Sequence, residues 1–455
     1  MNTKNKTGIR RAAALIALLL LIGTNATAQD LTPKFDEYMS ALLKQGRFTG
    51  CVLVARDGKV VFSKGYGMAN VELDVPNTPQ TKFRLGSVTK QFTASAILLL
   101  QERGKLNVTD PICKYVENCP TAWSEVTIHH LLSHTGGIPN FTSLPDYVPK
   151  MMMPVAAQEM IARFKDKPLD FKPGEKWSYS NSGYFLLGFI IEKVAGESYE
   201  SFLQKNIFEP LKMTATGYDH FETILKHRAT GYSLAKGKPV NSAFIDMTQP
   251  FSAGSLYSTV EDLFLWNEAL FGGKVLSAKS FEAMTTPVKN NYGYGLGIIT
   301  DPKRKSISHA GGINGFATNL LRLPEERVTV VVLRNADYGT PAPGRISLDL
   351  AAILLGEKYE IPAAVSEIKV NPKIYDAYVG RYQLAPNFIL EISKVGDRLM
   401  AQATGQPAFE LFPESETKFF LKVIDAKVTF VKDDKGQVTH LILHQGGDRE
   451  AKKIN

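Results

Sequence analysis

Cysteine is scarce in this sequence: the 455 residues include three, Cys51, Cys113 and Cys119. No Cys/His cluster has the spacing of a zinc site, and no other metal or cofactor is implied. In an oxidising compartment Cys113 and Cys119 could close a short loop, and two free thiols are an equally good interpretation. Cys51 lies in an apolar run, which favours a buried structural thiol over a catalytic one.

Long apolar runs are scarce as well, and the run from Ala12 to Gly23 is too short to cross a membrane comfortably. Four basic residues precede it, and Ala26-Thr27-Ala28 has the small-x-small pattern of a cleavage site. The pattern predicts a secretory signal peptide over residues 1–28 and a mature chain that begins at Gln29. We therefore expect a secreted or periplasmic protein with no stable membrane span after cleavage. No cysteine stands at the cleavage point to carry a lipid anchor.

The expected mature chain also lacks a large net charge. The formal net charge of +8 falls to +4 without residues 1–28, because that segment holds four basic and no acidic residues. So mild an excess does not call for a nucleic-acid partner, and no basic run has interleaved aromatic residues. The composition fits a globular protein with a small-molecule or peptide substrate, and it leaves the oligomeric state open.

The stretch from Phe83 to Phe92 holds the leading candidate for chemistry. A strand-like run meets Gly86, and the apolar segment that follows predicts a buried helix with Ser87 in its first turn. Ser87 and Lys90 are three residues apart and so share one face of that helix. A serine nucleophile needs a base within hydrogen-bonding reach, and lysine can be that base if burial lowers its pKa. Backbone N–H groups at the helix start can hold a developing oxyanion.

The Ser-x-x-Lys pattern is weak by itself. It also occurs at Ser233/Lys236, Ser366/Lys369 and Ser415/Lys418. Most such pairs are solvated surface residues, so a structural interpretation of Ser87 and Lys90 stays open. Only the pair at Ser87 lies at the start of an apolar helix. This context makes the catalytic hypothesis about as well supported as the structural one.

A second polar cluster lies at Tyr179 and Asn181, just before the apolar helix predicted over Tyr184 to Ala195. A tyrosine can relay a proton as phenol or phenolate, and a nearby lysine favours the phenolate. Asn181 can donate and accept, so it can orient a substrate amide and a lysine together. Seen alone, the pair is more often a buried tyrosine with a satisfied hydroxyl and an asparagine in a turn, and we favour that interpretation on the pair alone.

Two histidines need separate interpretation. His134 follows a short helix that Thr127 is expected to cap, and we favour a histidine hydrogen-bonded at a helix end over a catalytic base. His309 precedes Gly311 and Gly312, and these glycines would let a substrate backbone approach a strand closely. His-x-Gly also occurs elsewhere in the chain, so that pattern is weak alone.

The remaining sequence predicts both strands and helices. A hairpin turn is predicted at Arg56–Lys59, with further strand runs at Tyr292–Ile299, Lys305–Phe316, Thr318–Arg322 and Arg327–Asn335. Helices are expected at Leu31–Gln45 and Ile346–Leu355. After a composition shift at Gly356–Pro372 the chain is almost all short alternating strands, which predicts a small antiparallel β module.

The motifs Ser87-x-x-Lys90, Tyr179-x-Asn181 and His309-x-Gly311, in that order, resemble the serine β-lactamase and penicillin-binding-protein superfamily. The likeness is greatest to its class C-like branch of β-lactamases, D-alanyl-D-alanine carboxypeptidases, D-aminopeptidases and esterases. The resemblance implies an α+β fold in which helices flank an antiparallel sheet and a helical subdomain is added, followed by a small all-β domain. The expected boundaries are 29–358 for the hydrolase domain, 359–372 for a linker and 373–455 for the β-strand domain.

The same resemblance implies roles for single residues. Ser87 would be the acylated nucleophile, Lys90 its base or proton partner, and Tyr179 the partner general base. Asn181 would hold the substrate amide, and the N–H groups of Ser87 and Gly312 would form the oxyanion hole. His309 and Gly311 would lie on the substrate-binding strand. β-Lactamases of the family usually have lysine at the position of His309, where it attracts a substrate carboxylate.

The resulting expectation is a secreted serine hydrolase that forms an acyl-enzyme on an amide or ester. A D-amino-acid peptidase similar to D-alanyl-D-alanine carboxypeptidases is the leading hypothesis. Because a neutral histidine attracts a carboxylate weakly, a carboxylesterase is the alternative, and efficient β-lactamase activity is less expected. A penicillin-binding sensor or scaffold without turnover is the further alternative.

Overall fold

Alternate residues of a central antiparallel sheet face two different hydrophobic cores. The sheet has six strands in the order β10-β11-β12-β13-β1-β2. These are β1 (Gly50–Arg56), β2 (Lys59–Tyr66), β10 (Gly297–Thr300), β11 (Lys305–Ile313), β12 (Phe316–Leu323) and β13 (Val328–Arg334). In β1, Val52 and Val54 face one core while Cys51 and Leu53 face the other. Burial on both faces explains why this strand is a continuous apolar run.

The structure is a computed structural model that describes residues 30–235, 237–361, 367–386, 388–406, 408–421, 426–445 and 447–454. The predicted signal peptide and the predicted start at Gln29 lie outside these residues. Among the described residues, no helix is long and apolar enough to span a membrane. The same part of the chain brings no three histidine, cysteine or acidic side chains together as metal ligands.

Helices cover both faces of the sheet, as predicted for an α+β fold. Two helices, α1 (Thr32–Lys44) and α10 (Pro343–Leu355), pack on one face. The other face packs against a larger helical layer. Its members are α2 (Thr89–Glu102), α3 (Ile128–Leu132), α4 (Tyr147–Lys150), α5 (Ala157–Lys165), α6 (Asn181–Ala195), α7 (Tyr199–Leu203), α8 (Val260–Phe271) and α9 (Ala278–Thr285).

Short strands connect the layers outside the main sheet. They are β3 (Met68–Asn70), β4 (Val75–Pro76), β5 (Phe83–Arg84), β6 (Gly217–Tyr218), β7 (Tyr232–Ala235), β8 (Lys238–Asn241) and β9 (Leu256–Ser258). Strand β5 pairs with β9, and this pairing fixes the chain just before Ser87. The predicted strand over Tyr292–Ile299 is shorter in the structure, because the chain turns through residues 293–296 before β10 begins.

The C-terminal β module is a closed barrel of eight strands. The strands are β14 (Gly380–Ala385), β15 (Phe388–Val395), β16 (Arg398–Ala403), β17 (Ala408–Pro413), β18 (Lys418–Phe420), β19 (Lys427–Lys432), β20 (Val438–His444) and β21 (Asp448–Lys453). Aromatic rings fill its interior, with Tyr378 stacked on Phe430 at 4.2 Å between centroids. The Tyr382 hydroxyl donates to the carbonyl of Tyr378 at 2.7 Å, so this buried phenol is satisfied. The predicted domain boundaries at 358 and 372 stay predictions.

The three cysteines fall into two classes. Cys113 and Cys119 form a disulfide. Cys51 is a free, buried thiol in β1 whose Sγ lies 2.9 Å from the carbonyl oxygen of Thr78. Burial raises the pKa of that thiol, which keeps it protonated and structural.

Candidate active site

Ser87 lies on a tight turn between strand β5 and helix α2. The turn is a 3-10 segment over Gly86–Val88, and the α-helix proper begins at Thr89. The prediction of Ser87 in the first helical turn is therefore right in position, although the backbone there is 3-10. Gly86 has φ +53°, and a Cβ atom at this position would lie 2.9 Å from Gly312 N. Only glycine lets the turn adopt this conformation and approach the sheet so closely.

Lys90 is fully buried one turn after Ser87. Its Nζ lies 3.0 Å from Ser87 Oγ, 2.9 Å from Asn181 Oδ1 and 2.7 Å from the carbonyl oxygen of Ala253. Burial lowers the pKa of this amine well below its usual value, because the protein interior disfavours the charged form. A neutral amine can donate its two protons to Asn181 and Ala253 and offer its lone pair to the Ser87 hydroxyl.

Asn181 and Tyr179 reach the site from the start of helix α6. Ser180 caps this helix by accepting from the N–H of Gly183, so the helix begins three residues earlier than predicted. The Asn181 side chain is oriented because its Nδ2 donates to Thr142 Oγ1 at 3.3 Å, which leaves Oδ1 for Lys90.

The Tyr179 ring lies beside the amine, with its centroid 4.9 Å from Lys90 Nζ. Burial raises the pKa of the phenol, and a hydrogen bond with Ser87 offsets part of that effect. The phenol therefore stays protonated at neutral pH, while burial favours a neutral Lys90. Of the two groups, the lysine is the one whose pKa shift favours the unprotonated form, and only an unprotonated group can accept a proton from Ser87.

His309 is buried on strand β11 and is held as a neutral imidazole. Its Nδ1 lies 2.6 Å from the carbonyl oxygen of Ala310, so Nδ1 donates. Its Nε2 then accepts from the Tyr292 hydroxyl at 2.8 Å. Burial lowers the pKa of His309 to about 3, and Lys90 contributes to this lowering in its charged form. Both ring nitrogens are thus occupied within the protein, and the ring carries no charge to attract an anion.

The two glycines after His309 face different surroundings. A Cβ atom on Gly311 would lie 2.0 Å from the carbonyl oxygen of Leu85 and 2.3 Å from Thr318 Oγ1, so Gly311 packs against the Ser87 turn. A Cβ atom on Gly312 would meet nothing within 4 Å. Gly312 is therefore open to an incoming group, and its backbone nitrogen lies close to Gly86, the residue before Ser87. Of the pair, Gly312 is the one that can contact a substrate.

The structure brings all seven predicted site residues together, from three separate parts of the chain. It also adds groups that the sequence did not indicate. The carbonyl of Ala253 is a backbone group without a side-chain signature. His134 is buried with its ring centroid 4.3 Å from that of Tyr179, and its Nδ1 accepts from the N–H of Ser180 at 3.2 Å. The prediction of a hydrogen-bonded histidine placed this residue at a helix end, and its contact with Tyr179 was missed.

Comparisons with known proteins show the family to which this chain belongs. The β-lactamase family matches residues 35–353, and a domain of unknown function, DUF3471, matches residues 365–454. A penicillin-binding protein of Bacillus subtilis (strain 168) is 30% identical over 89% of this chain and 95% of its own length. The chain therefore belongs to the β-lactamase family and is a serine hydrolase of that fold.

Solved structures give the same result. An octameric penicillin-binding protein homologue from Pyrococcus abyssi has a TM-score of 0.67 and 30% identity, and covers 92% of this chain and 99% of that one. A D-amino acid amidase from Ochrobactrum anthropi SV3, complexed with D-phenylalanine, has a TM-score of 0.60 and 25% identity. That match covers 70% of this chain and 97% of the amidase.

The two neighbouring glycines provide a matched pair of variants. Gly311→Ala should lower the free energy of unfolding by about 1–3 kcal/mol, because the new methyl overlaps backbone and side-chain oxygens. Gly312→Ala should change stability by less than about 0.5 kcal/mol, as is usual where nothing is contacted, and should slow reaction of Ser87 with a fluorophosphonate. Urea unfolding and intact-mass spectrometry measure the two effects. A Gly311→Ala variant as stable as the wild type would contradict this assignment.

Proposed function

We propose that this enzyme hydrolyses amide or ester bonds through an acyl-enzyme on Ser87. The observation that carries the proposal is the buried Lys90 amine, 3.0 Å from Ser87 Oγ and saturated on its other side by two oxygen acceptors. Burial favours its neutral form, which is the form that can take the serine proton. The sequence pattern alone left a solvated surface pair open, and a lysine with no exposed area does not fit that interpretation.

The reaction would proceed in two halves. The Ser87 proton moves to Lys90 Nζ as Oγ attacks the substrate carbonyl, and the N–H groups of Ser87 and Gly312 stabilise the oxyanion. Tyr179, a protonated phenol beside Ser87, gives its proton to the leaving group as the acyl-enzyme forms, and Lys90 restores the proton to Tyr179. Water then attacks the acyl carbonyl, with Tyr179 and Lys90 relaying the proton in reverse. Asn181 holds the acyl amide and the lysine in one orientation.

For the substrate, we propose peptides or amides of D-amino acids. The similarity to a D-amino acid amidase supports this class. The neutral, internally bonded His309 supports substrates whose recognition does not depend on a carboxylate at that strand. The same neutrality favours a carboxylesterase as the second candidate. It speaks against efficient β-lactamase activity and against strict dependence on a terminal carboxylate, as in D-alanyl-D-alanine carboxypeptidases.

We also propose that the enzyme acts outside the cytoplasm. The basic and apolar pattern of residues 1–28 supports export, and a Cys113–Cys119 disulfide fits an oxidising compartment.

The nucleophile and its base can be tested by covalent labelling. The wild-type enzyme should gain one fluorophosphonate adduct, and Ser87→Ala should gain none. Lys90→Ala should label at least 10²-fold more slowly, since general-base assistance contributes about 10²–10⁴-fold. The wild-type labelling rate should rise with pH through the lowered pKa of Lys90 and reach its plateau well below pH 10.5. Unchanged labelling of Lys90→Ala, with wild-type melting behaviour, would remove this lysine from the mechanism.

Substrate preference can be tested at His309. Introducing a cation with His309→Lys should raise the rate of acylation by a penicillin roughly tenfold relative to a neutral ester, because a charge-assisted hydrogen bond to a carboxylate contributes about 1.5–3 kcal/mol. His309→Gln is the neutral control and should leave that ratio near the wild-type value. If wild type and both variants discriminate equally, the charge at this position does not set substrate preference.

Export can be tested by expressing the full-length chain in a Gram-negative host and measuring the intact mass of the enzyme from the periplasmic fraction. The expected product begins at Gln29 and has two hydrogens fewer than the fully reduced chain. Cytoplasmic enzyme of full-length mass would contradict this proposal.

A further inference from the structure

The main chain on both sides of Tyr179 is hydrogen-bonded to a single residue, His134. The N–H of Ser178 donates to the His134 carbonyl oxygen at 3.0 Å. The N–H of Ser180 donates to His134 Nδ1 at 3.2 Å. The imidazole also packs on the Tyr179 ring, at 4.3 Å between centroids and 41° between planes. Tyr179 therefore has its backbone fixed before and after it and one ring face covered by the same side chain.

His134 has an unusual backbone that this arrangement requires. Its φ is +58°, in the left-handed region, where histidine is among the few side chains found with any frequency. The conformation turns both the carbonyl and the ring towards the Tyr179 segment. Beyond it, the N–H of Gly174 donates to Thr135 O and the N–H of Asp170 donates to Gly137 O, each at 2.8 Å. The left-handed residue thus starts a ladder that aligns the Tyr179 segment.

The hydrogen bond from Ser180 also fixes the protonation state of His134. A nitrogen that accepts an N–H bond cannot carry a proton, so the neutral ring is protonated at Nε2. That Nε2 is buried and has no hydrogen-bond partner in the described part of the chain. Aromatic rings surround it, with centroids of Tyr292 and Tyr184 4.8 Å and 5.1 Å from the imidazole centroid. An N–H group facing aromatic rings retains a weak favourable contact.

Burial keeps the His134 ring neutral. Burial is the main reason that the pKa of His134 lies well below its usual value, and the nearby Lys90 and His309 lower it further. A proton on Nδ1 would also convert the acceptor of the Ser180 bond into a donor and place two N–H groups against each other. His134 is therefore a permanent acceptor at neutral pH and is unsuited to act as a base that gains and loses protons.

We propose that His134 is the positioning residue for Tyr179: its Nδ1 and its carbonyl oxygen hold the two peptide groups that set the place of the phenol over Ser87. This inference rests on the proton-relay function proposed above for Tyr179. His134 does not touch the reacting atoms, so its effect is exerted through the geometry of Tyr179. Displacing a reacting group by about 1 Å can cost about 10²-fold in rate, which sets the scale of the expected effect.

Asparagine and glutamine variants separate the two ring nitrogens. In His134→Asn, Oδ1 takes the place of Nδ1, and asparagine tolerates a left-handed backbone. In His134→Gln, the side-chain amide reaches the place of Nε2 instead. We expect His134→Gln to lower kcat for an activated ester roughly 10- to 100-fold with KM within about twofold, and His134→Asn to stay within about threefold of the wild-type kcat. Melting temperatures are measured for each variant to identify any loss of folding.

The pH profile distinguishes positioning from proton transfer by His134 itself. The pH dependence of kcat should be the same in His134→Asn and in the wild type, because Lys90 and Tyr179 set it. Loss of a limb of the profile in His134→Asn would make His134 a proton-transfer group and overturn the inference. Equal kcat for the asparagine and glutamine variants, both folded, would show that the acceptor at Nδ1 does not matter, and this would overturn it as well.

A measurement on the wild-type enzyme decides the matter if neither variant folds. Nitrogen NMR of ¹⁵N-histidine-labelled enzyme should show His134 protonated at Nε2 alone, with no titration between about pH 6 and 8, the range in which an unperturbed histidine would change charge. The opposite tautomer, or a titrating signal, would contradict the inference. This measurement needs no turnover. A wild-type enzyme that fails to label at Ser87 would instead refute the proposed function.

Discussion

The burial of a single amine is the constraint on which the rest of this structure depends. Lys90 has no exposed area, and transferring an unpaired charge into such a site costs several kcal/mol, so the amine favours its neutral form. It still needs acceptors, and the fold supplies them from distant segments. The carbonyl of Ala253 is one, and its turn is fixed by Ser252, whose Oγ donates to Tyr184 O at 2.8 Å. Gly188 permits that contact, because a Cβ atom there would lie 2.1 Å from Ser252 Oγ.

The proton-relay side of the site is built on a second template, the segment 132–139. Its backbone carbonyls accept hydrogen bonds along the chain that carries Tyr179 and Asn181, including 2.8 Å from the Tyr184 hydroxyl to Leu132 O. Ser180 and Ser182 also donate to this segment through their hydroxyls, to Ile138 O and Pro139 O. Serine hydroxyls can compete with a helix for backbone hydrogen bonds. Here the two hydroxyls instead attach the start of helix α6 to segment 132–139. Ser87 and Tyr179 consequently meet through two separately supported elements, and neither depends on a flexible loop for its position.

The sequence pattern indicated the clustered residues that have a side-chain signature, and it missed the groups that have none. Ser87 and Lys90 were accessible because three-residue spacing on an apolar helix fixes a shared face. The acceptor at Ala253 could not be predicted in this way. Every residue has a backbone carbonyl, and only the tertiary structure decides which carbonyl points towards Lys90. His134 was predicted as a hydrogen-bonded histidine at a helix end. The sequence did not show that the same residue also contacts Tyr179. In the C-terminal part, alternation predicted strands, but barrel closure depends on the pairing of β14 with β21, such as Tyr382 with Lys453, over a long sequence separation.

The neutrality of both histidines follows from the same constraint as the neutrality of Lys90. A protonated His309 or His134 would add a positive charge beside Lys90, which in the proposed mechanism must be uncharged to accept the Ser87 proton. The extra cation would favour neutral Lys90 but would weaken the relay later, when Lys90 has to carry the proton. Internal acceptors and donors therefore saturate His309, with Ala310 on one side and Tyr292 on the other. In the proposed mechanism the site therefore offers no fixed cation to an anionic substrate, and Lys90 carries the proton that moves. The proposed substrate preference and the proposed proton transfer would then both depend on the charge states of Lys90, His134 and His309.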